Sequence, residues 1–229
     1  TRPCGLIGGI EIDDGCTRSP ASLTTPQSTE LARCLAAMVD NDCHAVVMEV
    51  SSHALELGRV DQLEFDAAVF TNLSGDHLDF HGDMSSYSRA KRRLFERLPA
   101  EAHAIVNIDC VHGLEMASAS ECTVIECGAG AAARVLCIHE DLHGSRGRFE
   151  GPWGSFEASI PLVGRHNLNN ALHAVATAFQ LGVPIGRIAD RLPDCPCPQG
   201  RLERVPSAAG LPPVFVDFAH TDEALRSTL

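Results

Sequence analysis

The alternation of short apolar runs with amphipathic stretches is the feature of this sequence that most constrains its fold. Runs rich in β-branched residues are typical of strands buried inside a parallel sheet, and helical spacing of apolar residues falls between them. This order of strand and helix predicts an α/β fold with a mostly parallel sheet flanked by helices on both faces. The strands are expected at residues 45–50, 67–71, 104–107 and 214–217, and the helices at 27–41, 85–98 and 168–181.

The pattern changes between residues 122 and 162, where short alternating stretches replace the helical spacing. Alternation of polar and apolar residues indicates strands with one exposed face, so we expect a small antiparallel β subsheet there. Residues 193–198 and 207–213 are rich in proline and small residues, which is typical of connectors.

Composition excludes two classes of function. The 30 acidic and 18 basic side chains give a net charge of -12, which argues against a protein that binds nucleic-acid phosphates over a broad surface. The sequence has no apolar run of transmembrane length, and residues 1–9 lack the features of a signal peptide. We therefore expect a cytoplasmic protein with no nucleic-acid or membrane partner.

A carboxylate and several hydroxyls follow the predicted strand at 45–50, in residues 48–53. Ligands of α/β proteins bind at the carboxyl ends of parallel strands. Glu49 there would be a suitable Mg²⁺ ligand, because hard oxygen donors suit a hard cation. The pattern also allows a simpler interpretation, in which Glu49 caps a helix.

A second polar cluster follows the next predicted strand and contains Asp76, His77, Asp79 and His81. Its density favours a site over a solvated turn, but spacing alone leaves metal ligands, acid/base residues and capping groups open. Lys91 lies further on among three arginines, where a lysine by itself indicates no more than a charged surface.

The chain contains five motifs in the following order: residues 48–53, residues 71–82 with Tyr87 and Lys91, residues 164–174, residues 200–203 and residues 216–221. In this order they resemble the central domain of the Mur ligase family, most closely its tripeptide synthetases. The resemblance implies a P-loop ATPase-like α/β fold and an ATP-dependent amide-bond ligase of peptidoglycan precursor synthesis, and hence a role in cell-wall biogenesis, cell shape and cell division.

The resemblance implies a reaction and three catalytic, metal-binding residues. Such an enzyme phosphorylates the terminal carboxylate of a UDP-N-acetylmuramoyl-dipeptide with ATP, and an incoming amino acid attacks the acyl phosphate. Cations must offset the negative charge that this brings together. By resemblance Glu49 and His77 bind Mg²⁺, and Lys91 matches a lysine that is carbamylated by CO₂, which requires a neutral amine and a lowered pKa.

The same resemblance implies two further sets of ligand-binding residues. Hydroxyls and one arginine suit the oxygens of the UDP-sugar substrate, although Thr24 and Thr25 would also serve as a helix cap before residue 27. The substrate residues are Thr24, Thr25, Ser51 and Arg59, and the ATP-binding residues are Asn167, Asn170, Arg201, Asp217 and His220.

The family's glycine-rich ATP-binding loop with its lysine is not found in these 229 residues. We therefore expect a central domain at residues 1–212 that begins after that loop, and the start of the C-terminal domain at residues 213–229. Such a fragment should not ligate by itself. The alternatives are another Mur ligase, a folylpolyglutamate synthetase, or a non-catalytic remnant that binds a UDP-sugar. The sequence leaves open whether diaminopimelate or lysine is added.

Overall fold

The computed structural model of the chain describes residues 3–206, 211–221 and 224–226. Two compact units are formed by segments that alternate along the chain. The first unit contains the residues up to Glu64 together with His81–Leu94, and the second contains Phe65–Phe80 and the described residues from Phe95 onward. In the part of the chain just defined, we find no helix that combines the length and the apolarity needed to cross a membrane.

The first unit is built on a four-stranded sheet in the order β3-β2-β1-β4. β1 and β4 are parallel, whereas β2 and β3 extend the sheet as antiparallel strands. Helix α1 buries Leu31 and Met38, and a Cβ on Gly5 would lie 2.5 Å from the Met38 sulfur, so glycine lets the helix approach β1. The elements are β1 (Cys4–Ile7), β2 (Glu11–Asp13), β3 (Arg18–Pro20), α1 (Ser28–Asp40), β4 (Ala45–Met48) and α2 (Ser52–Glu56).

The second unit contains a parallel sheet in the order β5-β6-β7 and an antiparallel sheet in the order β10-β9-β8. A short antiparallel pair, β11 and β12, follows. The strands are β5 (Ala67–Phe70), β6 (His103–Asn107), β7 (Thr123–Cys127), β8 (Arg134–Asp141), β9 (Gly144–Gly151), β10 (Gly154–Ile160), β11 (Glu203–Val205) and β12 (Val214–Val216).

Helix α6 forms the centre of the core in the second unit. It contacts strands of both the parallel and the antiparallel sheet, and its buried Leu168, Leu172 and Val175 join Ile105 and Phe149 in one apolar cluster. The helices that follow β5 in the chain are α3 (Leu78–His81), α4 (Met84–Glu96), α5 (Gly113–Ala119), α6 (Arg165–Gln180) and α7 (Ile185–Arg191), before a 3-10 turn at Leu192–Asp194.

The α/β fold class predicted from the sequence is confirmed, with corrections in detail. The predicted strands and helices lie within a few residues of β4, β5, β6, β12, α1, α4 and α6. The antiparallel subsheet begins only at β8, because β7 pairs in parallel with β6. Part of the predicted connector 207–213, residues 207–210, lies outside the described residues.

Candidate functional site

The end of β4 is fixed by a buried threonine. The Thr25 hydroxyl, 1% exposed as a residue, donates to the Glu49 carbonyl at 2.9 Å and accepts from the Ser51 amide at 2.9 Å. Ser51 caps α2 by accepting from the Ala54 amide, and Gln27 occupies the N-cap of α1. The capping interpretations of Glu49 and of the two threonines are therefore wrong.

Two glycines leave room beside the Glu49 carboxylate. Gly8 and Gly9 directly follow β1, the parallel neighbour of β4. A Cβ on Gly8 would lie 3.1 Å from Glu49 Oε1, and one on Gly9 would lie 3.3 Å from the Thr24 hydroxyl and 3.5 Å from Glu49 Oε2. The Gly9 amide donates to Glu49 Oε1 at 3.2 Å. An exposed carboxylate and a hydroxyl thus border one glycine-lined cradle at the sheet edge.

Arg59 approaches the same strand end through Thr25. Its Nη1 donates to the Thr25 carbonyl at 2.9 Å, while its Nε is buried and has no hydrogen-bond partner among the described residues. A buried guanidinium N–H without a partner is costly. Four predicted substrate residues, namely Thr24, Thr25, Ser51 and Arg59, are therefore neighbours in the first unit, although Thr25 serves as an internal brace.

Lys91 lies on α4 in an environment unlike that of a surface lysine. Burial lowers the pKa of its amine from the ordinary value of 10.5. Its Nζ lies 5.3 Å from the centroid of the Tyr87 ring, one helical turn earlier, and Tyr87 is only 7% exposed. The pKa of Lys91 is therefore shifted in the direction that carbamylation would need.

His77 belongs to the second unit, where it shares a carboxylate with another predicted residue. Asp76 Oδ2 lies 3.7 Å from His77 Nε2 and 3.6 Å from His220 Nε2. His77 adopts a φ of 55°, a conformation that non-glycine residues rarely adopt and that often marks functional sites. The structure therefore brings together a predicted metal ligand, His77, and a predicted ATP-binding residue, His220. Asp76 belonged to the predicted polar cluster but had no assigned role.

The remaining predicted ATP-binding residues form local contacts in the second unit. Asp217 accepts from the amides of Leu202 and Ala219 at 2.7 and 2.8 Å, and the Arg201 guanidinium lies 5.4 Å over the Phe218 ring. At the start of α6, Asn167 donates to the Val163 carbonyl at 2.8 Å. Asn170 is exposed and donates to the Asn167 side chain at 3.3 Å.

Sequence reasoning missed the partners of Ser52. Ser52 is 2% exposed, and its hydroxyl lies 2.8 Å from His81 Nε2. Both residues belong to motifs that the resemblance covers, but no periodicity relates positions 52 and 81. Only folding reveals that pair.

Comparison with known proteins decides the family. A model of the Mur ligase middle domain matches residues 2–178. The chain belongs to the Mur ligase family. This confirms the resemblance carried by the three motifs between residues 48 and 174, which lie within the matched range.

Named relatives refine the position within the Mur ligases. UDP-N-acetylmuramoyl-L-alanyl-D-glutamate--2,6-diaminopimelate ligases from Synechococcus elongatus and Geobacter sulfurreducens are each 41% identical to it, over 91% and 99% of this chain respectively. The matches cover 43% and 46% of those two proteins. The chain thus spans just under half the length of the curated relatives it matches.

Solved structures agree with the family. The structure of a UDP-N-acetylmuramoyl-L-alanyl-D-glutamate--2,6-diaminopimelate ligase superimposes with a TM-score of 0.79 at 26% identity, covering 98% of this chain and 46% of that one. Mycobacterium tuberculosis folylpolyglutamate synthase complexed with ADP superimposes with a TM-score of 0.75 at 20% identity, covering 99% and 58%. The second likeness supports the fold alone.

Proposed function

We propose that the chain is the central part of an ATP-dependent ligase that adds 2,6-diaminopimelate to UDP-N-acetylmuramoyl-L-Ala-D-Glu during peptidoglycan precursor synthesis. The amino acid is taken from the names of the relatives that are 41% identical, which favour diaminopimelate over lysine. The observation that carries the proposal is the placement of the Lys91 amine 5.3 Å from the centroid of the buried Tyr87 ring, in an environment that lowers its pKa. A surface lysine with an ordinary pKa is almost entirely protonated at neutral pH, and only the neutral amine reacts with CO₂.

Glu49 would supply a carboxylate to Mg²⁺. Its exposed side chain borders the cradle at Gly8 and Gly9 and makes a hydrogen bond of 3.2 Å to the Gly9 amide. This donor suits Mg²⁺, which is commonly held by one or two carboxylates and keeps several waters. When bound, Mg²⁺ would neutralise charge as the substrate carboxylate and the γ-phosphate of ATP approach each other. We assign His77 and carbamylated Lys91 as the further metal ligands.

The chain's own residues would orient the two anionic substrates. We assign the UDP-muramoyl-dipeptide to Thr24, Ser51 and Arg59, because hydroxyls and a guanidinium gathered at this strand end suit the oxygens of an anionic sugar substrate. Thr25 would act by fixing Glu49 and Ser51. We assign ATP to the second set of predicted residues, which comprises Asn167, Asn170, Arg201, Asp217 and His220. Three of them, Asn170, Arg201 and His220, are exposed.

A chimera tests the proposed reaction. The matching segment of the Geobacter sulfurreducens relative is replaced by this chain, and diaminopimelate-dependent ADP release is measured with UDP-N-acetylmuramoyl-L-Ala-D-Glu. We expect turnover that stops on chelation of Mg²⁺ and that falls by about a hundredfold or more in Lys91→Ala, as for other groups that stabilise developing charge.

Arg93→Ala is the matched control, because it removes an exposed cation from the same helix, one that pairs with Glu56 at 3.1 Å. It should retain the parental rate. Full activity of Lys91→Ala would refute the catalytic assignment. A correctly folded chimera that binds the UDP-sugar but never releases ADP would instead favour the non-catalytic remnant.

Three expectations remain predictions. We predict a cytoplasmic location, and we predict that the isolated 229 residues do not ligate. The domain boundary at residue 212 is also untested, and β12, which lies beyond it, pairs with β11. Ligation by the purified chain alone would contradict the second expectation.

A further inference from the structure

A buried serine and a histidine of the first unit form a hydrogen-bonded pair. Ser51 caps α2, so the Ser52 hydroxyl is not needed for that purpose and lies 2.8 Å from His81 Nε2. Ser52 is 2% exposed, and a hydrogen bond made at a buried site is more costly to lose than one in water. The ring of His81 is therefore fixed at its Nε2 end.

The same imidazole packs on the tyrosine that precedes Lys91. The His81 and Tyr87 rings are stacked with centroids 4.8 Å apart and planes inclined by 15°. Gly82 adopts a φ of 79°, and Asp83 accepts from the Ser86 amide at 2.7 Å at the start of α4. This turn and cap bring His81 back over the helix that carries Tyr87.

Lys91 approaches the same tyrosine. Its Nζ lies over the Tyr87 ring, 5.3 Å from the ring centroid. Lys91 is the single lysine in the sequence, and Tyr87 is the single tyrosine. Apart from the histidines, all other basic side chains are arginines. The protein therefore has a single ε-amine, and that amine is mostly buried. A lysine side chain left unrestrained has many rotamers, and holding it in one of them costs entropy.

We propose that His81 is a positioning residue for Lys91, acting through a relay in which Ser52 fixes the imidazole, the imidazole fixes the Tyr87 ring, and the ring fixes the lysine side chain. The relay rests on the proposed function only in its purpose, which is to present the amine for carbamylation. Its geometry is independent of whether the carbamate forms.

Lysine labelling provides a direct measurement. Protein produced with [ε-¹³C]lysine gives one ¹H–¹³C signal, which comes from Lys91. We expect the ring current of Tyr87 to displace the chemical shift of that signal from its value in an unfolded chain. We expect Tyr87→Leu to abolish the displacement, His81→Ala to remove most of it, and Ser52→Ala to remove part of it. His44→Ala is the matched control, because it removes an exposed histidine of the same unit and should leave the signal in place.

Loss of stability alone would give a different result. A merely structural role for His81 would add a second signal at the unfolded position in proportion to the unfolded fraction, while the folded signal stayed where it was. An unmoved folded signal in His81→Ala would overturn the proposal.

A second readout separates this relay from the proposed function. With ¹³C-bicarbonate, the carbamate of Lys91 should be detected in the parent chain and fall by about threefold to tenfold in His81→Ala, the range expected when one long side chain regains its freedom. Equal carbamate in both would contradict the relay. A ring-current displacement that is lost in His81→Ala, with no carbamate in the parent, would support the relay and reject carbamylation.

Discussion

The two units hold their predicted site residues by different means. In the first unit the residues around Glu49 and Lys91 are fixed by buried groups, since Thr25 is 1% exposed and Tyr87 is 7% exposed. In the second unit the side chain of His220 is 60% exposed and pairs with Asp76 at 3.6 Å. Buried hydrogen bonds are costly to break, whereas exposed ion pairs contribute little. The residues that we assign to the UDP-sugar substrate are thus pre-organised by the fold, and we expect the exposed residues that we assign to ATP to be ordered largely by their ligand.

The largest expected effect follows from the brace in the first unit. Thr25→Val keeps the shape of the side chain but leaves the Glu49 carbonyl and the Ser51 amide without their partner. We expect the free energy of unfolding to fall by about 2–3 kcal/mol, measured by urea denaturation. Thr24→Val is the control and should change it by less than about 0.5 kcal/mol. An equal loss of unfolding free energy in the two variants would show that the buried Thr25 hydroxyl stabilises the fold no more than the Thr24 hydroxyl does.

A pH-dependent effect tests whether the second unit also contains a group fixed by burial. His173 is 3% exposed, and burial lowers its pKa from 6.5 although the Asn169 carbonyl and Asp109 act in the opposite direction. As pH falls below 6.5, the unfolded imidazole gains a proton before the folded one does, so stability is complete above 6.5 and decreases between that value and the lowered pKa.

Thermal melting across that pH range measures the contribution of His173. His173→Leu should flatten the decline relative to the parent, whereas His166→Leu, on the same helix, should not. An unchanged slope in His173→Leu would place the acid sensitivity elsewhere in the unit.

The smallest expected effect concerns the exposed pair of His220 and Asp76 in the second unit. His220→Ala removes a contact between half-exposed groups, so the free energy of unfolding should change by less than about 0.5 kcal/mol. In the chimera, however, we expect the KM for ATP to rise, because we assign His220 to the nucleotide. A loss of stability as large as that of Thr25→Val would break the proposed contrast between the units.

Much of the fold could be predicted because its signals are local. Helix α1 begins one residue after the predicted position and α6 begins three residues before it, since apolar spacing on one helical face is written in a short stretch of sequence. Residues 123–127 were assigned to the wrong sheet because their pattern identifies a strand but not its partner. Pairing with β6 depends on residues about twenty positions away.

The candidate site was predicted only as a set of residues. The motifs around Glu49, His77 and Lys91 identified the family, and the family model confirmed it over residues 2–178. The motifs did not distinguish Thr24, which borders the glycine cradle, from Thr25, which is buried behind it. The two threonines are adjacent in one motif, so both match the family equally well. They differ in the direction of their side chains, which only the folded structure shows.

The sequence by itself determined the family, the alternation of strands and helices, and the polar residues that end the strands, because each of these is encoded in residues close together in the chain. Tertiary structure alone decided that Thr25 braces Glu49, that Ser52 meets His81, and that burial lowers the pKa of Lys91. Hydrogen bonding and desolvation depend on which distant groups exclude water from a side chain, and that is fixed only when the chain has folded.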